Sequence, residues 1–167
     1  ILMSISEIVE EHSLPIQELD IWYRKYAPDT VSAQIARAGI WLGKGDHRNA
    51  GRAFREAANR SDKFEARTAL NRKALIQLAH AKAWKDAVDL IERNEELLAA
   101  ITNKFQLFLR VCNEYESGNR DTATSLIVNY VKNSSKDMSD EISNLESYSS
   151  ELGLPSEPFE GRVKAAA

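Results

Sequence analysis

Three histidines, one cysteine and a group of arginines are the residues of this chain best suited to chemistry. His12, His47 and His80 fall in three different elements, and none has a second ligand at metal-binding spacing. No HExxH pair, Gly-rich phosphate loop or nucleophile elbow occurs. The acidic pairs Glu10-Glu11 and Glu95-Glu96 are adjacent in sequence. Neighbours on a helix point in different directions, so these carboxylates do not converge as an acid/base pair. Cys112 is the single cysteine, which excludes an internal disulfide and a Cys-based zinc site. Its apolar surroundings read as those of a small buried hydrophobe. The expectation is a non-catalytic protein without metal or cofactor.

Arg48, Arg52 and Arg55 follow the 4-then-3 spacing of one helix face, with Arg60, Arg67, Arg72 and Lys73 nearby. Such a group could hold RNA or an acidic peptide. The competing reading is a solvated outer stripe neutralised by Glu56 and Glu65. No aromatic residues are interleaved with these cations for base stacking, which favours the solvated stripe. The whole chain carries 22 Lys+Arg against 25 Asp+Glu, a net charge of -3, so no long-range field draws it to nucleic acid or anionic lipid. A helix-turn-helix reader built on Ile16 to Tyr26 fails for a local reason. That helix would open with Gln17, Glu18 and Asp20, and carboxylates repel phosphate.

Any such residue must be positioned by helices. The 167 residues are 43% hydrophobic and 28% charged, with only 7 Gly and 4 Pro, too few for a protein built from tight hairpin turns. Ser4-Ile5-Ser6-Glu7 reads as a capping box opening a helix to about His12. Ser13-Leu14-Pro15 breaks the chain, and Ile16 to Tyr26 forms a second helix with Ile16, Leu19, Tyr23 and Tyr26 on one face. Ala27-Pro28-Asp29 stops it. Towards the other end, Asn133 to Asp137 reads as a loop, and Ser139 to Leu152 as a polar helix with Ile142, Leu145, Tyr148 and Leu152 as its apolar stripe. Gly153 to Pro158 is linker-like. Ile1-Leu2 before Met3 and the closing Ala165-Ala166-Ala167 read as cloning residues. No apolar run approaches the roughly 20 residues of a membrane span, and the first residues lack the basic start of a secretion signal. A cytoplasmic location is the expectation.

Three segments between these ends repeat one another. The first holds Trp41-Leu42-Gly43-Lys44-Gly45-Asp46 and continues to Ala50 and Phe54. The second holds His80-Ala81-Lys82-Ala83-Trp84 and continues to Ala87 and Ile91. The third holds Tyr115-Glu116-Ser117-Gly118-Asn119 and continues to Ala123 and Ile127. In each, a helix meets a polar turn, then an Ala and a large apolar residue four positions on. Ala50, Ala87 and Ala123 lie 37 and 36 residues apart. This arrangement resembles the tetratricopeptide repeat (TPR), whose units recur at about 34 residues. Gly45-Asp46 and Gly118-Asn119 sit where a TPR hairpin reverses, Gly as a left-handed cap and Asp or Asn as the next helix's N-cap. Ala38 matches the small residue between the two helices of a unit, with Leu75 and Val111 as its larger equivalents. Trp41 and Leu78 match the bulky inner residue, and Glu114 takes the third such slot. The Pro that closes a family unit is replaced by Asp62, Ala99 and Ser135, and the Trp near the start of the family's first helix has no counterpart.

The resemblance, over about residues 31–137, implies an all-α fold: a right-handed stack of antiparallel helical hairpins, a TPR-like α-solenoid. N-terminal helices would occupy 1–28, a capping helix 138–152 and a linker-like tail 153–167, with 1–152 as a single domain. It also implies a concave groove lined by the first helix of each unit. The groove residues would be Ile35, Gly39 and Leu42, then Arg72, Ile76 and His80, then Phe105, Phe108, Cys112 and Tyr115. The family's clamp for a C-terminal carboxylate needs cations where only Arg72 is found, so an apolar peptide or helix is the expected ligand. The occupant would be a protein or peptide partner, the chain's own N-terminal helix, or another copy. The function so implied is a protein–protein interaction module or scaffold. The alternatives are an accessory regulatory domain of a larger enzyme, and an RNA-binding repeat using the region from Arg48 to Lys73.

Overall fold

The computed structural model describes residues 29–133, together with the isolated positions Glu18, Ile21, Lys25 and Ser147. The expected N-terminal helices, capping helix and tail therefore lie outside the described residues, apart from those single positions. Among the described residues there are seven helices and no strand, so the protein is all-helical there. The chain divides into two compact units, Ile1–Ala81 and Lys82–Ala167, and the boundary falls inside the second of the three sequence repeats.

The first unit contains α1 (Val31–Gly43), α2 (His47–Asn59) and α3 (Phe64–His80). Thr30 opens α1 by accepting a hydrogen bond from the Ala33 backbone N–H at 3.2 Å. The helix ends in a left-handed Gly45 (φ 70°), whose N–H donates to Leu42 O at 3.0 Å while Asp46 N–H donates to Trp41 O at 3.0 Å. This pair of bonds is the Schellman closure, which satisfies carbonyls the helix would otherwise leave open. Asp46 then caps α2 through Asn49 N–H at 3.0 Å. The sequence reading of this turn is met at both residues.

α2 sits between its two neighbours and packs on both. Its small residues make this possible: Ala50, Gly51, Ala53, Ala57 and Ala58 are all buried. At Gly51 a β-carbon would stand 3.0 Å from Leu78 Cγ and 3.1 Å from the Ala74 carbonyl oxygen. The α2–α3 crossing thus needs glycine at that point. Leu70, Ala74, Leu75, Leu78 and Ala79 form the inward face of α3. At the far end of α2, Arg60 is held by both Asp29 and Glu56, which keeps the Asp29 carboxyl below its ordinary range.

The second unit contains α4 (Trp84–Glu92), α5 (Glu95–Ala100), α6 (Asn103–Glu116) and α7 (Arg120–Lys132). α6 is the central helix, packing against both α4 and α7. Trp84, Ile91, Leu97, Phe108, Leu109, Val111 and Ile127 are among its fully buried side chains. The short α5 was not anticipated from the sequence. Asn94 caps it by accepting from Leu97 N–H at 3.0 Å, and Gln106 Nε2 donates to Leu98 O at 3.0 Å, fastening its end to α6. α6 closes on Gly118 (φ 82°) with the same two bonds as α1, Gly118 N–H to Tyr115 O and Asn119 N–H to Glu114 O. Asn119, unlike Asp46, makes no side-chain cap; its amide donates to Glu114 Oε2 at 2.8 Å instead.

One further left-handed residue completes a pattern. Lys82 has φ 53°, so Gly45, Lys82 and Gly118 recur at 37 and 36 residues, the period of Ala50, Ala87 and Ala123. Those alanines are buried to the same degree in each copy, as are Ala38, Leu75 and Val111. The repeat seen in the letters is therefore a repeat in local backbone and burial.

Candidate functional site

In the first unit, α1 and α3 turn one face to α2 and leave another in solvent. On α1 the exposed positions run Ser32, Ile35, Gly39, Gly43, and on α3 they run Ala69, Arg72, Ile76, His80. Both series step by 3, 4 and 4, the stripe of a single helix face. Ile35 is 40% exposed and Ile76 is 41% exposed. A β-carbon at Gly39 would meet nothing within 4 Å, so the α1 stripe has open space at its middle. Leu42 is half-buried beside that stripe, and Phe64, at the start of α3, is a further exposed large apolar residue that the spacing did not single out. Five of the eight expected partner-binding residues, Ile35, Leu42, Arg72, Ile76 and His80, thus belong to this unit and none of them is fully enclosed.

The structure also brings together two residues that the sequence kept apart. His47 opens α2 and His80 closes α3, and their ring centroids lie 5.4 Å apart at a 36° tilt. Gln77 Oε1 lies 2.7 Å from His47 Nδ1 and accepts from it when that nitrogen carries the proton. The two histidines still belong to different helices, as their spacing in the sequence implies, and only the fold brings the rings together. Packing α3 against α2 sets the end of one beside the start of the other, over a separation of 33 residues in sequence. Two imidazoles and an amide do not make a metal centre: among the described residues no group of three or more His, Cys, Asp or Glu could hold an ion.

Of the basic residues, Arg60 is taken up by Asp29 and Glu56, and the Lys73 ammonium lies 5.7 Å from the centre of the Phe54 ring. Arg48, Arg52 and Arg72 are exposed and Arg55 is half-buried.

The second unit treats its share of the expected residues differently. Phe108 is 0% exposed and Cys112 is buried with it, so these two belong to the core of α6 and present no surface. This corrects the expectation that they line a groove. The reason lies in their neighbours, since Leu107, Leu109 and Val111 are buried as well and a helix apolar on most sides is enclosed by its surroundings. Phe105 and Tyr115 at the two ends are half-buried, and the Arg120 guanidinium lies 5.4 Å from the Tyr115 ring centre. Burial, with Glu116 adding a smaller like-charge effect, pushes the Cys112 thiol up to about 12. It is therefore a neutral, enclosed thiol at physiological pH, not a nucleophile.

Comparison with known proteins finds no matching family model, no matching curated protein and no matching solved structure. No helix among the described residues is long and apolar enough to cross a membrane. A functional reading therefore has to rest on the geometry of this chain's own residues.

Proposed function

We propose that this chain is a non-catalytic, TPR-like interaction module that binds a protein or peptide partner on the exposed faces of α1 and α3. The observation that carries this reading is the pair Ile35 and Ile76. Each is a large aliphatic residue left about two-fifths exposed in the middle of a solvent-facing helical stripe. Around them, Gly39 and Leu42 on α1 and Arg72 and His80 on α3 mix apolar contact area with a few polar groups, the composition of a peptide-binding surface. The repeated left-handed turns at Gly45, Lys82 and Gly118 support the kinship with stacked helical hairpins. The alternative of an accessory domain in a larger enzyme uses the same surface and differs only in what the chain is joined to.

The reading is tested by substituting Ile76 with Gln and comparing capture of partners by the two proteins. Ile76→Gln is expected to cost under about 1 kcal/mol of stability, because the residue is already 41% exposed to water. Partners retained by the natural protein should be lost from the variant at an unchanged melting temperature. Equal retention by both proteins would remove the α3 stripe from the proposal.

A further inference from the structure

The repeat sets one helix face at the same register three times, and the third copy is treated differently. Ile35, Arg72 and Phe108 are equivalent, and so are Gly39, Ile76 and Cys112, at the 37- and 36-residue intervals of the left-handed turns. The first two members of each set are exposed, whereas Phe108 is 0% and Cys112 1% exposed. Pairing with neighbouring helices does not by itself cover such a stripe. α7 is the partner of α6 across a short turn, as α2 is of α1, and α4 precedes α6 as α2 precedes α3. In the first unit both pairings leave the stripe open. α5 is fastened at the start of α6, where Gln106 donates to the carbonyls of Leu98 and Ile101. Lys104, Phe108 and Tyr115 each take part in an interaction beyond those given above, and their spacings of 4 and 7 put all three on one face of α6.

We infer that the chain's own C-terminal segment, Ser139 to Leu152, lies along this face of α6 as an internal ligand, with the stripe Ile142, Leu145, Tyr148 and Leu152 turned towards Phe108 and Cys112. Its fourteen residues equal α6 in length. α7 returns along α6 and ends at Lys132, and only the six residues from Asn133 to Met138 separate that end from the segment. Extended, such a connector reaches roughly 20 Å, about twice the distance between packed helices. Ser147 is helical and exposed. At roughly 100° per residue it stands about 200° round the helix from Leu145, so the side in water is the one opposite the apolar stripe. The third copy of the face is thereby closed from within the chain, while those on α1 and α3 stay open. The cover on α6 stands or falls independently of what α1 and α3 bind.

Cys112, the single cysteine, reports on the cover in the full chain through its rate of reaction with dithiodipyridine. Leu145→Ala is expected to raise that rate about tenfold, because a loosened segment uncovers the thiol more often. Leu145→Asp should raise it further, while Ser147→Asp, on the outer side, leaves it unchanged. The circular dichroism spectrum of Leu145→Ala should match that of the natural protein. Its raised rate should hardly change in dilute urea, the mark of a local opening and not of unfolding of the whole unit. A rate unaltered in both Leu145 variants would overturn the inference, as would a rise in Ser147→Asp as large as in Leu145→Asp. A rate in Leu145→Ala that climbs steeply with urea would overturn it too, by assigning the effect to global unfolding. So would a rate in the natural protein that falls as its concentration rises, which gives the cover to a second copy of the chain.

Discussion

α3 in the first unit and α6 in the second carry the same kind of sequence signal and use it in opposite ways. Arg72, Ile76 and His80 step along α3 as Phe105, Phe108, Cys112 and Tyr115 step along α6, and spacing alone gives both the same standing. In the structure Ile76 is about two-fifths exposed and Phe108 is sealed. What separates them is the rest of each helix. α3 sets Ile76 between Arg72 and His80 on its stripe, with the exposed Lys73 beside it, so one side of it is wettable. α6 follows Leu107 with Phe108, Leu109, Val111 and Cys112, and this breadth of apolar surface demands cover on several sides. A stripe becomes a surface only when its flanks can face water.

The largest expected effect follows from that contrast. Phe108→Ala should cost about 3–5 kcal/mol, measured by denaturant unfolding, because it empties an enclosed site. A cost below about 1 kcal/mol would place Phe108 on a surface and erase the difference between the two helices. Gly51→Leu comes next, at about 1–3 kcal/mol or more, since the added side chain runs into Leu78 and the backbone of Ala74. A thermal melt at the natural temperature would mean that α2 and α3 stand further apart than described.

Cys112 sharpens the comparison through pH. Its thiol titrates from an ordinary 9.0 in the unfolded chain to about 12 in the folded one. The folded state holds the proton longer, so this contribution is intact below pH 9 and is lost as pH rises from about 9 towards 12. Cys112→Ala should flatten that alkaline decline in stability, and an unchanged slope would show that the thiol is not enclosed. The smallest effect belongs to the turn at Lys82. A left-handed conformation costs a non-glycine residue about 1–2 kcal/mol, part of which glycine returns through the greater freedom of the unfolded chain. Lys82→Gly should therefore raise stability by up to about 1 kcal/mol in urea unfolding, and a loss would mean that the Lys side chain holds that turn.

These sites also show which parts of the molecule the letters disclose. Gly45 and Gly118 were legible because glycine is the residue that enters the left-handed region without strain, and the alanines at 50, 87 and 123 because a period-36 to period-37 match requires no knowledge of contacts. Lys82 performs the same backbone role with a letter that gives no hint of it. Gly51 is not legible in the letters, because a glycine inside a helix reads only as a weak former and its reason, Leu78, lies 27 positions away. α5 does not stand out in the letters, since Glu95 to Ala100 continues a helical composition and only the Asn94 cap interrupts it. Its presence is nevertheless visible in the intervals: α1, α3 and α6 begin at 31, 64 and 103, so the second interval is longer than the first by six residues. For the surface, the repeat resemblance gives Ile35, Ile76 and Phe108 the same place on the first helix of a unit, and it cannot decide that Phe108 is covered while the isoleucines are partly exposed, because cover depends on the surrounding fold.

The order in which helices pair has a consequence for how the two units form. In the first unit the dominant pairings, α1 with α2 and α2 with α3, join neighbours in sequence across turns of a few residues. Little chain entropy is lost in closing such short loops, and local topology of this kind sets a fast folding rate. In the second unit α6 pairs with α7 across a short turn, but it must find α4 across the intervening α5, a longer closure. The first unit is accordingly expected to acquire its helices' mutual packing earlier, so that during synthesis a formed α1–α2–α3 layer precedes the slower assembly around Phe108.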